Sequence, residues 1–444
     1  MPILIRGGTI VTGNARGDLL TNSSLRITND RIDEITPAAS ARGAESGDAV
    51  DADGFVIIPG FVQTHIHLCQ TLFRGLADDL ELLDWLRTRI FPFEASHSDR
   101  STYASAMLGI AELIRSGTTT ILDMGSIRHE EEIIRAVGET GLRAFVGKAM
   151  MDVNDAFPAL RESTHEALSS TRRLVERWHN SYGGRIRYAV APRFALSCTE
   201  QLLGTLREMM QSARGVLFHT HASENLGETS AVRQRFGMEN IEVLHQFHLL
   251  SERSCLAHCI HLNDRERAIL KETRSSVAHC PSSNLKLASG VANVPLLMSQ
   301  GINVSLGADG APCNNTLDMF QEMRLASLLQ KPSHGPGAMP AATLFRMATM
   351  GGARALSMEQ EIGSIEVGKK ADLVLLDLNG VWNPLAGDIY SSIVYSSRPE
   401  NVDSVMIDGK WVYRKKEFVG LDADALVRDG KNELAALMKR AGMR

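Results

Sequence analysis

In the stretch PGFVQTHIHLCQ (residues 59–70), His65 and His67 stand one residue apart directly behind an apolar run. Side chains alternate along an extended strand, so both imidazoles point to one face and Ile66 turns away. Taken alone, the pair reads as a polar strand end with satisfied hydrogen bonds. It is not alone. HTHASE brings His219, His221 and Glu224, AHCIH brings His258 and His261, AHCPSSN brings His279, and LGADG brings Asp309. One metal centre accounts for all of these strand ends together. Imidazole nitrogens with a carboxylate suit a divalent zinc or iron ion that keeps one position open. The pKa of a water in that position falls toward about 7, and a neighbouring carboxylic acid can then move its proton to a substrate.

Such residues need a scaffold that gathers strand ends. The first 57 residues read as short β-runs broken by Gly-Gly, Asn-Asp and Asp-Gly, and the C-terminal part returns to that style, with Asp408-Gly409 as a hairpin turn. Between them short apolar strands alternate with amphipathic helices, one near 161–179. The expectation is an α/β chain. Residues 58–362 form a (β/α)8 barrel, and a small β-sandwich is built from 1–57 and 363–444, the latter ending in a helix. A doubly wound sheet would gather its chemistry at one switch point beside a glycine-rich loop, and GGTIVTG and GGARAL are poor matches to one.

The 444 residues carry a net charge of −5 without a long basic block, which argues against nucleic acid and anionic membrane surfaces as partners. No run of about 18 apolar residues occurs, and the N-terminal stretch lacks the pattern of a secretory signal. Six cysteines without a regular framework fit reduced thiols, so the expected location is the cytoplasm.

PGFVQTHIHL, HASE, LAHCIHL, AHCPSSNLKLASG, LGADGAPCNNTLDMFQEMRLASL and IGSIEVGKKADLVLLDL occur in the order found in the amidohydrolase superfamily. The chain resembles that superfamily's aminopurine and triazine deaminase branch over essentially its whole length. The resemblance implies one divalent metal, zinc before iron, held by His65, His67, His221 and Asp309. It makes Glu224 the proton shuttle and places His258 against the metal-bound water and substrate, with Asp309 sharing in catalysis. His219 is then a supporting or packing residue, His261 structural and His279 part of the pocket lining. Lys148 ends a strand, in surroundings similar to those of the one-metal deaminases.

Substrate contacts draw on two subfamilies. RGLADDLELLDWL is similar to methylthioadenosine and S-adenosylhomocysteine deaminases, which implies that Glu94 holds ribose hydroxyls. HIHLCQ and APRFALSC are similar to guanine deaminases, which implies that Gln70 and Arg193 touch the base. Trp85 is equally a pocket aromatic or a core residue of an amphipathic helix, and Asp78 and Asp79 equally a solvated loop or a helix cap. The expected reaction is hydrolytic deamination of a 5′-modified adenosine such as 5′-deoxyadenosine or methylthioadenosine, extending to S-adenosylhomocysteine. Guanine stands second and an s-triazine third. A homo-oligomer is expected. A non-catalytic binding protein on the same scaffold would have lost these ligands.

Overall fold

The computed structural model describes residues 2–40, 48–384 and 386–443. Eight parallel strands follow one another around a barrel: Phe61–Ile66, Thr118–Met124, Arg143–Gly147, Ile186–Pro192, Leu217–Ala222, Ser254–His258, Ser276–His279 and Val304–Leu306. The ring closes between its first and last strands. There the Asp309 amide donates to the His65 carbonyl at 3.0 Å, and the Thr64 hydroxyl bonds the Ser305 hydroxyl. A helix or helical turn follows most strands, which is the arrangement that places the strands' C-terminal ends in one mouth.

Below that mouth Val62, Leu122, Phe145, Ala189, Leu217, Cys255 and Ala278, one from each of seven strands, pack with Met350, Leu356 and Ile362 into a fully apolar plug. Alternation upward from Leu217 brings His219 and His221 onto the same face. On the first strand strict alternation from Val62 would instead bring Thr64 and Ile66 inward. A register irregularity between Gln63 and Ile66 resets the strand, so that His65 and His67 face the mouth and Ile66 packs outward.

Strands from both chain ends form a second, nine-stranded mixed sheet, joined where Phe55–Pro59 runs antiparallel to Leu373–Asp377. The Asp408-Gly409 turn connects Val402–Ile407 to Lys410–Arg414 with positive φ at both residues (50° and 71°), as a type I′ hairpin requires. A side chain at Gly409 would stand 2.1 Å from the Asn29 carbonyl. Arg143, at the start of the third barrel strand, pins sheet to barrel. Its buried guanidinium donates to Asp372 at 3.0 Å and to Asp408 at 2.6 Å. The C-terminal helix Ala423–Ala441 lies against the helix Asp99–Arg115 and sends Leu437 into an apolar cluster with Phe73, Trp85, Phe91 and Phe93, beside the mouth. All six cysteines are buried thiols.

Candidate active site

Among the described residues, one group of His, Cys, Asp and Glu converges closely enough to hold an ion: His65, His67, His221 and Asp309, whose ligand atoms lie within 4.8 Å of one another. His67 Nε2 is 3.2 Å from His221 Nε2, and Asp309 Oδ1 is 3.3 Å from His65 Nε2 and 3.4 Å from His67 Nε2.

The partners of the other ring nitrogens fix the tautomers. A backbone carbonyl can only accept, so His67 Nδ1–H donates to the Met124 carbonyl (2.7 Å) and His221 Nδ1–H to the Arg193 carbonyl (2.6 Å). His219 donates from Nδ1 to the Cys255 carbonyl (2.8 Å), which leaves its Nε2 as acceptor for His65 Nδ1–H, also at 2.8 Å. All three candidate ligands therefore turn an Nε2 lone pair to one point, and His65 Nε2 is fully buried without a hydrogen-bond partner. Burial also lowers the proton affinity of these rings, to about 3 for His67, so they stay neutral. Burial opposes the charge of Asp309. Positive charge facing it from the side of His65 outweighs that penalty and holds the carboxyl well below the usual range, a charge that a bound cation would supply while the rings are neutral. Ser283 Oγ (2.6 Å) and the Gly310 amide (2.7 Å) each donate to one of its oxygens. Neutral imidazoles, an ionised carboxylate and outer partners orienting each of them are the donor set a divalent ion requires.

Beside this group His258 Nε2 lies 3.4 Å from Glu224 Oε2 and 3.8 Å from Asp309 Oδ2, and its Nδ1 bonds Asn284 Oδ1 at 2.8 Å. Burial pushes the Glu224 carboxyl up to about 7, with the nearby His258 opposing and Asp309 reinforcing the shift. That suits a group which must both give and take a proton near neutrality. Several of these side chains leave the strand ends through left-handed backbone: φ is 51° at Ser223, 72° at His258, 49° at Cys259 and 64° at Asp309. Each such non-glycine residue costs on the order of 1–3 kcal/mol, a strain that clusters where side chains are aimed into active sites.

A recess opens onto the group, lined by Gln70, Leu82, Trp85, Leu86, Arg193, Phe194 and Leu287 with His67, His221, His258, Glu224, Glu228 and Asp309. Trp85 is both things at once, 4% exposed within the apolar cluster and part of the pocket wall. Glu94 stands behind the wall. Its two oxygens accept from Gln70 Nε2 (2.8 Å) and Arg193 Nη1 (2.7 Å), so it sets the position of the two residues that face the recess. Asp78 pairs with Lys286 at the rim, and His261 Nε2 bonds the Ser289 carbonyl. His279, expected along the pocket, is a correction. It is sealed in the interior with neither ring nitrogen bonded and is absent from the recess lining. Lys148 Nζ is held by both Glu162 oxygens, at 2.6 and 2.7 Å. Ser283, Asn284 and Glu228 join the site without having been singled out in the sequence, although the SSN of AHCPSSN was the available signal for the first two.

Residues 56–412 match the model of the amidohydrolase family. The sequence is 38% identical over 426 residues to the 5-methylthioadenosine/S-adenosylhomocysteine deaminase of Moorella thermoacetica, covering 96% of this chain and 97% of that one. It is 40% identical over 421 residues, 95% of each chain, to the 5′-deoxyadenosine deaminase of Methanothermobacter thermautotrophicus. The crystal structure of an adenosine deaminase from Xanthomonas campestris with bound zinc superposes with a TM-score of 0.92 at 31% identity, covering 98% of each chain.

Proposed function

The chain belongs to the amidohydrolase family, and from that premise we propose that it hydrolytically deaminates a 5′-modified adenosine with one zinc ion held by His65, His67, His221 and Asp309. The observation that carries the proposal is the convergence of three neutral Nε2 lone pairs and one ionised carboxylate, with a carboxyl poised near 7 at their side. Bound there, the ion would supply a water whose pKa lies near about 7. The protein's own groups do the rest. Glu224 hands a proton to the ring nitrogen next to the amine-bearing carbon, and that carbon gains oxygen from water. One proton of that water restores Glu224, Asp309 takes the other and passes it to the amino group, the C–N bond breaks, and ammonia leaves behind a 6-oxo purine nucleoside. His258 Nε2, within 4 Å of both acids, orients the adding oxygen. Trp85, Leu82 and Leu86 keep bulk water from the ring. Arg193 is always charged and only donates, so its N–H groups not taken by Glu94 must meet a ring nitrogen or a sugar oxygen.

Relatives named for 5′-deoxyadenosine and for methylthioadenosine support a 5′-modified nucleoside. Within that class an uncharged 5′ group fits better than an amino-acid tail, because Lys148, a buried cation near the mouth, already has both oxygens of Glu162. Guanine is the second reading, favoured by one feature: the Gln70–Glu94–Arg193 wall offers a fixed cation that could face a carbonyl oxygen. Ammonia release across 5′-deoxyadenosine, methylthioadenosine, S-adenosylhomocysteine, adenosine and guanine tests the proposal. Rapid turnover is expected with the first two. Brisk turnover of guanine with none of any adenosine would replace it.

A further inference from the structure

Glu228 is a buried carboxyl on the recess wall, 3% exposed, with no ion-pair partner among the described residues. It sits at the third position of the helix Leu226–Phe236, whose N-cap is Asn225. From there its Oε2 accepts the backbone N–H of Glu224 at 3.1 Å. The same peptide unit is held on its other side. The Ser223 carbonyl accepts the amides of Ile260 (2.9 Å) and His261 (3.0 Å), which belong to the turn that carries His258. The Ser223–Glu224 peptide is thus gripped at its carbonyl by the His258 turn and at its N–H by Glu228. It follows a residue in left-handed conformation, where a freed peptide plane could rotate and swing the Glu224 side chain out of reach of the reacting ring.

We propose that Glu228 is a positioning residue of this deaminase, clamping the backbone of the proton shuttle Glu224 in register with His258 and the metal ligands. The clamp works as a neutral acid. Burial, with the adjacent Glu224 adding to it, pushes the Glu228 carboxyl up to about 8. It therefore accepts the amide hydrogen without setting a second full charge beside the shuttle when Glu224 ionises. A formal anion at this position would oppose each ionisation of Glu224, whereas a protonated carboxyl supplies the same acceptor without that penalty.

The inference rests on the deaminase reading, so the test begins with wild-type turnover of 5′-deoxyadenosine. Absent turnover with every adenosine would overturn that reading, whereas the behaviour of the variants judges the clamp. Glu228→Ala removes the acceptor, and kcat should fall at least about 30-fold, with KM within about threefold of wild type and about one metal per chain retained. Glu228→Gln restores a neutral acceptor of the same length and should recover at least a tenth of wild-type kcat. The decisive reading is a double-mutant cycle. If Glu228 acts through Glu224, adding Glu228→Ala to Glu224→Gln should leave the residual rate within about twofold. Should Glu228→Ala not yield folded, metal-loaded protein, Glu228→Met fills the space without an acceptor and reads the same loss. A Glu228→Ala or Glu228→Met protein keeping more than a third of wild-type kcat would overturn the proposal. So would losses that multiply in the double variant, or a Gln variant as slow as the Ala one.

Discussion

Replacing His219 with phenylalanine should weaken metal binding without touching a ligand. Of the three histidines that face the metal position, two are oriented by backbone carbonyls, Met124 for His67 and Arg193 for His221, which no substitution can remove. His65 alone is oriented by a side chain, the Nε2 of His219, at 2.8 Å in the barrel interior. Phenylalanine roughly conserves ring volume and offers no acceptor. The His65 Nδ1–H would then be buried and unsatisfied, at a cost of about 1–3 kcal/mol, and the ring could rotate or change tautomer to escape it. At 1.4 kcal/mol per decade that is roughly 5- to 150-fold in affinity, and loss of an outer partner of a metal-bound histidine typically costs about 10- to 100-fold. Competition of the zinc-loaded protein against a chelator of known affinity reads the change directly, and thermal unfolding of the metal-free protein shows whether the barrel itself was harmed. His219→Gln, whose amide oxygen can accept, should recover part of the loss. Unchanged zinc affinity in His219→Phe, with metal-free stability intact, would refute the assigned tautomers and the role of His219 in orienting a ligand.

Two further outcomes separate the roles of the acids. Glu224→Gln should lower turnover by at least about 100-fold while leaving about one metal per chain, since the residue moves a proton and is not a ligand. Metal analysis alongside a steady-state rate measurement checks both, and loss of the ion would contradict the assignment. Glu322 bonds the Ser282 amide and Asn314 under the short helix Pro281–Lys286 that carries Ser283, and burial raises its carboxyl from 4.5 to about 7. A folded-state value above the unfolded one means stability that is complete below pH 4.5 and lost as pH rises through 7, on the order of 3 kcal/mol for this shift. Glu322→Gln stays neutral throughout, so urea unfolding of metal-free protein at pH 5.5 and 8 should show a flatter dependence than wild type. Equal slopes would mean that this carboxyl does not titrate as described.

The candidate metal group was legible because its members are marked locally. His65 and His67, His221 with Glu224, His258 and Asp309 each end an apolar run, and a strand end announces itself in a few residues. The barrel and the return of the C-terminal strands to the N-terminal ones followed from the alternation of periods. Contacts that join distant segments were not legible. Nothing near His219 in sequence says that its partner is His65, 154 positions away. Nor does anything around Glu94 say that Gln70 and Arg193 take both its oxygens, which turns an expected ribose contact into the support of two other residues. His279 misled because a histidine at a strand end was read by analogy with its neighbours, whereas burial with both nitrogens unbonded sets it apart.

The same distinction explains why the site is built on strained backbone. A strand end delivers a side chain only along the direction that alternation allows; His221 uses it directly, and His65 and His67 use it after the register irregularity between Gln63 and Ile66. Asp309 and His258 come from strands whose regular continuation would not aim them at the same point, and both leave through left-handed φ. The cost is met by hydrogen bonds between neighbouring strand ends: the Asp309 amide to the His65 carbonyl, the Cys259 amide to the Ala222 carbonyl, and the Ile260 and His261 amides to Ser223. Each joins a strained residue, Asp309, Cys259 or Ser223, to a neighbouring strand end of the site. The strain and its restraint therefore form a single construction around the mouth. Its outermost tie, from Glu228 to the amide of Glu224, is made by a side chain and not by backbone, which leaves that one tie open to mutation while the rest of the ring stays intact.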